Sequence, residues 1–173
     1  MKTLVILAHP NLSQSKINRT LITRLEQTDV TIHKLYDVYP DGKIDVEHEQ
    51  ALLSSHDRIV FQFPFYWYSS PALLKEWQDN VLTYGWAYGS EGTALHGKEL
   101  LLAISTGGPE AAYQAGGFNH YSMSELVKPF HATANLTGMR FLPIFTVQGA
   151  SRLSEDELRD KAEAYVQHIE ASF

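Results

Sequence analysis

Thr3-Leu4-Val5-Ile6-Leu7-Ala8 is a short apolar run that closes on His9-Pro10-Asn11. A continuous run of this length suits a strand buried on both faces, the pattern of parallel sheets. The chain then alternates. Ser15 to about Glu26 carries Ile17, Leu21, Ile22 and Leu25 at helical spacing, and Val30–Leu35 is a second strand with β-branched Thr31 and Ile32. Tyr39-Pro40-Asp41-Gly42 signals a turn, and Glu47–Ser55 a short helix. Arg58–Phe63 is the third strand, ended by Pro64. Ser70-Pro71 reads as an N-cap with proline at the first helical position, before a stripe of Leu73, Leu74, Trp77 and Val81. Glu99–Ser105 is the fourth strand and Arg140–Val147 the fifth, with Pro143 favouring a sheet edge or a bulge. Ser122/Glu125 and Ser154/Glu157 form capping boxes, and Pro129 breaks the helix that the first one opens. Leu158, Ala162, Tyr165, Val166 and Ile169 mark the last helix.

Five strands alternating with helices, without repeat or linker, predict one α/β domain over residues 1–173. The expected architecture is three layers around a parallel sheet of order 2-1-3-4-5, joined by right-handed crossovers. In such sheets ligands sit beyond the carboxyl ends of the strands, here His9–Asn18, Pro64–Pro71 and Ser105–Tyr113.

Composition narrows the chemistry. Apolar residues are 44% and charged residues 20% of 173, an ordinary globular balance. A net charge of −6 with no basic patch argues against nucleic acid as a partner. The absence of cysteine removes disulfides, thiolate catalysis and cysteine-ligated metals. The apolar N-terminal run is shorter than a secretory core of about 7–15 residues, and far shorter than a membrane span of about 20. The expectation is a cytoplasmic protein. The eight histidines are never three or four apart, so a helical zinc pair is not expected. Dinucleotide-fold glycine, P-loop and nucleophile-elbow motifs are absent. The unusual feature is aromatic. Ten of the twenty aromatic residues, including all three tryptophans, lie between Phe61 and Tyr88.

Each of the three loops admits two readings. Ser13, Ser15 and Asn18, with the free amides and dipole of the helix that follows, suit a phosphate; alternatively Ser15 only caps that helix and His9 is a turn residue. Phe65-Tyr66-Trp67-Tyr68 cannot all enter one core, so they suit the faces of a planar aromatic ligand; the alternative is core or interface packing. Ser105-Thr106-Gly107-Gly108-Pro109 allows close backbone approach to a heteroaromatic edge, or is an ordinary turn. The topology brings all three to one edge of the sheet.

Taken together, these segments resemble the flavodoxin-like NAD(P)H:quinone oxidoreductase family. The likeness is greatest to the ancillary flavoproteins of glutathione-gated potassium efflux systems and to general-stress flavoproteins. It rests on Ala8-His9-Pro10, Ser15-Lys16-Ile17-Asn18, Tyr36 to Asp41, Phe65 to Trp77, Gly85-Trp86-Ala87-Tyr88-Gly89, Thr93 to Lys98 and Thr106-Gly107-Gly108. The resemblance implies a bound flavin, FMN rather than FAD in the most similar members, with FAD kept as the alternative. It places His9 and Ser15, Lys16, Ile17 and Asn18 at the phosphate and ribityl chain. It places Phe65, Tyr66, Trp67 and Tyr68 along the isoalloxazine, and Ser105, Thr106, Gly107 and Gly108 at its polar edge.

Tyr113 sits five residues after Gly108, the spacing of the family's tyrosine that assists hydride transfer. The family's histidine falls where this chain has Asn119, with His120 one further along, so Tyr113 and the less well matched His120 are the catalytic candidates. The implied reaction is ping-pong: NADPH or NADH delivers a hydride, and a quinone or similar acceptor collects two electrons at the same surface. The resemblance also implies a homodimer with flavin sites at its interface, with Phe65, Tyr66, Trp86 and Tyr88 as candidate contacts. A second reading is a regulatory subunit docked on a potassium efflux antiporter at the inner face of the cell membrane. A third is a flavodoxin-type electron carrier, whose flavin loops would usually be more acidic than these.

Overall fold

In the computed structural model, which describes all 173 residues, β1 (Thr3–Leu7) is buried along its whole length. That is the expected consequence of an apolar run paired on both sides. β2 (Thr31–Lys34) lies against one edge and β3 (Arg58–Pro64) against the other, followed by β4 (Glu99–Ser105), all parallel. The order is 2-1-3-4-5. The fifth strand differs from expectation. Arg140–Val147 is split into β5 (Arg140–Phe141) and β6 (Phe145–Val147), both running along β4. Pro143 has no N–H to donate, so the ladder lapses between them, although the Leu142 N–H still reaches the Leu100 carbonyl at 2.8 Å.

Period-two alternation sends the strand side chains to two cores. Val5, Leu7, Val60, Leu101 and Ala103 face α1 (Lys16–Leu25) and α7 (Glu155–Glu170). Leu4, Ile6, Phe61, Phe63 and Leu102 face the other layer. That layer holds α2 (Leu35–Val38), α3 (Val46–Ser54), α4 (Ala72–Val81), α5 (Met123–Leu126) and α6 (Lys128–Leu136). Both capping boxes form, and Pro129 falls in the first turn of α6. Ser70 does not cap α4. Pro71, at ψ 147°, is the residue before the helix, and no side chain caps it.

The second core contains a buried carboxylate. Glu49 accepts from Tyr39 Oη at 2.6 Å and Trp77 Nε1 at 2.7 Å. His33 Nε2 lies 2.9 Å from Oε1, off the line of a hydrogen bond. Burial would push Glu49 up, but His33, Tyr39 and Trp77 together hold it below the usual carboxylate value. This cluster ties the β2 edge to α3 and α4.

The aromatic concentration divides here. Phe61, Phe63 and Trp77 are core, with Phe61 and Trp77 edge to face at 5.6 Å. Trp86 and Tyr88, expected at a surface, are half-buried and pack against the same core, leaving Tyr84 exposed beside them. Phe65 is half-buried against that core as well, and Tyr66, Trp67 and Tyr68 lie outside it.

Candidate functional site

Leu7, Gln62 and Ala103 are in register across β1, β3 and β4, so the loops that follow these strands leave from one edge. They enclose a cavity of about 590 Å³, within the range of small-molecule sites. Its walls include His9, Ser15–Asn18, Phe65, Tyr66 and Ser105–Gly107. Gln14, Pro64, Ala150 and Ser151 line it too. The last two belong to a fourth loop, after β6, that sequence reading overlooked. Gly149 at φ +75° was its signal.

One end of the cavity suits an anion. Ser15 caps α1, its Oγ accepting the Asn18 N–H at 3.1 Å, as the simpler reading of that loop expected. The amides of Lys16 and Ile17, in the first turn, make no hydrogen bond within the chain. They aim the positive end of the helix at the cavity, so capping and anion binding coexist. The Ile17 side chain is turned into the core, and Lys16 Nζ is held by the Leu153 carbonyl at 3.1 Å. His9 Nδ1 accepts from the Asn11 N–H at 3.1 Å, so in the neutral ring Nε2 carries the proton. Burial lowers the His9 pKa and favours that neutral form.

Under the cavity runs a polar chain that the sequence did not advertise. Asn18 Nδ2 donates to Ser105 Oγ at 2.8 Å, Gln62 Nε2 to Asn18 Oδ1 at 3.2 Å, and Tyr165 Oη to Gln62 Oε1 at 3.0 Å. All four residues are buried, and burial pushes the Tyr165 hydroxyl far up. This floor locks loop one to loop three. Gln62, in the middle of the apolar run Ile59–Phe63, was its trace in the sequence.

The second loop is a tight turn. The Ser69 N–H donates to the Tyr66 carbonyl at 3.0 Å, and the central residues Trp67 and Tyr68 both have positive φ, +49° and +60°. Glycine and asparagine normally fill such positions, and each bulky residue there costs about 1–2 kcal/mol. The turn leaves the Trp67 and Tyr68 amides unpaired, as are those of Gly107 and Gly108, while Tyr66 and Ser69 pair across it. Trp67 is 93% exposed. Phe65, Trp67, Tyr68 and Tyr113 surround a second, wholly aromatic cavity of about 200 Å³.

Tyr113 is buried against Phe65 and against Gly108, where an added Cβ would lie 3.2–3.5 Å from its ring and hydroxyl. His120 is not brought to it. His120 is exposed, in the left-handed region at φ +63°, and its ring makes no hydrogen bond. Asn119 is the polar side chain on this side, accepting from Tyr68 Oη at 3.0 Å.

The donors fit a flavin mononucleotide: first-turn amides and Ser15 for a phosphate, and two groups of free amides for the polar edge of a planar ring system. Comparison with known proteins gives the family. A family model for the flavodoxin-like fold matches residues 1–169. An uncharacterized NAD(P)H oxidoreductase of Bacillus subtilis is 59% identical over 99% of this chain and 99% of its own length. A glutathione-regulated potassium-efflux system ancillary protein of Cronobacter sakazakii is 47% identical over 95% of this chain and 90% of its own length. The crystal structure of general stress protein 14 from Treponema denticola in complex with FMN is 47% identical, with a TM-score of 0.94 over 98% of both chains. No helix here is long and apolar enough to cross a membrane. With its sheet order, its loop cluster and this match over nearly its entire length, the chain belongs to the flavodoxin-like family, alongside NAD(P)H oxidoreductases and potassium-efflux ancillary proteins.

Proposed function

We propose that this chain is an FMN-dependent NAD(P)H:quinone oxidoreductase working by a ping-pong, two-electron cycle. The observation that carries the reading is the donor set. Unpaired amides of Lys16, Ile17 and Gly107 line the cavity of about 590 Å³, braced by the buried Ser105–Asn18–Gln62–Tyr165 floor. The bound flavin would supply the hydride-accepting and hydride-donating chemistry. The protein does the rest. Ser15 and the Lys16 and Ile17 amides hold the phosphate. The Gly107 and Gly108 amides face the edge where negative charge develops. Tyr113 donates a hydrogen bond there. Phe65, Trp67 and Tyr68 exclude water from a face open to flat rings. NADPH and NADH both remain candidate donors. The exposed Tyr66, Trp67, Phe118 and Tyr121 support a homodimer that covers this face.

The test is steady-state kinetics of FMN-loaded protein with 1,4-naphthoquinone and NADPH or NADH. Parallel double-reciprocal lines are expected. Protein that binds FMN but reduces no quinone with either donor sinks the proposal. The 47% identity to an efflux ancillary protein supports a second reading, in which the chain also regulates an antiporter. Co-purification with a membrane partner would favour it, and its consistent absence would remove it.

A further inference from the structure

The strained aromatic turn is held from outside. Tyr68 Oη donates to Asn119 Oδ1 at 3.0 Å, a contact between residues 51 positions apart. Asn119 is itself anchored, its N–H donating to the Ala112 carbonyl at 2.9 Å, one residue before Tyr113. The loop between is packed on itself, since a Cβ at Gly117 would fall 2.3 Å from the Ala111 carbonyl oxygen. Asn119 therefore offers its acceptor from an anchored backbone. Tyr68 stands edge-on to Phe65 at 6.3 Å, and Phe65 to Tyr113 at 6.1 Å, so the ring that Asn119 holds is one wall of the aromatic cavity.

We infer that Asn119 is a positioning residue for the electron acceptor: through the Tyr68 hydroxyl it keeps the left-handed Trp67-Tyr68 turn in place and so sets the width of the aromatic cavity. The inference rests on the proposed quinone reductase activity and deepens it. A carboxamide does not titrate, so this support is constant through neutral pH. A histidine at the same place would accept the hydroxyl only while neutral. The exposed His120 takes no part.

The test uses FMN-loaded protein, with 1,4-naphthoquinone as acceptor. Asn119→Ala and Tyr68→Phe are each expected to raise the quinone KM about five-fold, the worth of one ordinary hydrogen bond, with kcat within about two-fold. The double variant is expected to be no worse than the worse single one, because both remove the same contact. Asn119→Asp, which keeps an acceptor oxygen, is expected to restore KM. Asn119→His is expected to match the wild type above about pH 7 and to lose acceptor affinity below about pH 6. Hydrogen exchange at the Ser69 amide gives a readout independent of turnover, and Asn119→Ala should speed it about five-fold. An unchanged KM, multiplying effects in the double variant, or unchanged Ser69 exchange would each overturn the inference. If the wild type reduces no quinone, the proposed function fails, while Ser69 exchange still decides whether Asn119 holds the turn.

Discussion

Asn18→Leu tests the floor of the cavity most directly. Asn18 is 1% exposed, its Nδ2 donates to Ser105 Oγ at 2.8 Å, and its Oδ1 accepts from Gln62 Nε2 at 3.2 Å. Leucine has a similar shape and offers neither group. The helix cap survives, because the capping donor is the backbone N–H of residue 18. Ser105 Oγ then loses its partner, and Gln62 Nε2 keeps only a 3.4 Å contact to the residue 18 carbonyl. An orphaned buried polar group costs about 1–3 kcal/mol, so two cost about 2–6 kcal/mol. The added apolar burial offsets about 1 kcal/mol. The net loss is about 3 kcal/mol. At about 2–4 °C per kcal/mol for a chain of this size, Tm should fall by about 6–12 °C. Circular dichroism melting of the FMN-free protein at pH 7 measures it. Ser15 and Ser105 border the cavity on opposite sides of Asn18, so FMN affinity, read by quenching of flavin fluorescence, should fall about ten-fold or more, equivalent to about 1.4 kcal/mol. A Tm within about 2 °C of wild type would show that the network contributes nothing net to stability. Unchanged FMN affinity would separate it from the site.

Three further outcomes follow from the same structure. Gly107→Ala should leave the FMN-free Tm unchanged, because its Cβ meets nothing within 4 Å, yet weaken FMN binding; Gly108→Ala should displace Tyr113 and lower both Tm and kcat. Equal effects of the two on the FMN-free melt would contradict this. Glu49→Gln should cost about 1–3 kcal/mol at pH 7, by leaving a buried Tyr39 or Trp77 donor facing an amide N–H₂. Because the folded pKa of Glu49 is lowered, the stabilisation is present above its ordinary value and is lost as pH falls through the folded value, so the gap between variant and wild type should narrow on acidification. A gap that widens in acid urea titrations would reverse the sign of the argument. His9 is likewise depressed, so its contribution to stability is complete above its ordinary value of 6.5 and declines as pH falls toward the folded value. His9→Gln should flatten stability against pH in that window, measured by urea titration, and an unaltered slope would exclude His9 as its source.

Much of the architecture was legible because it depends on local periodicity. The double-sided burial of Thr3–Leu7, the two capping boxes and the break at Pro129 are decided by residues within a few positions of one another. The failures are also physical. Ser70 looks like a cap from its neighbours, but Pro71 fixes the chain in an extended conformation one residue later. Pro143 signalled trouble in the last strand without saying that the strand would resume at Phe145. For the site, the three loops and their donor types could be read directly. Their braces could not, because Gln62, Tyr165 and Glu49 meet their partners only across the sheet or between helices.

The sequence by itself determined the alternation of elements, the edge of the sheet where the loops gather, and a chemistry without cysteine. Family spacing also put Tyr113 beside the paired glycines. Only the tertiary structure decided which polar residue stands across from it. His120 and Asn119 are adjacent in the chain, but a left-handed backbone at residue 120 leaves its ring exposed, while Asn119 Oδ1 accepts from Tyr68. The ten clustered aromatic residues divide for the same reason. Their hydrophobicity is similar, yet a strand places Phe61 and Phe63 in the core, while a turn with two positive φ angles leaves Trp67 exposed. Backbone conformation and contacts across long sequence distances separate residues that composition and spacing treat alike.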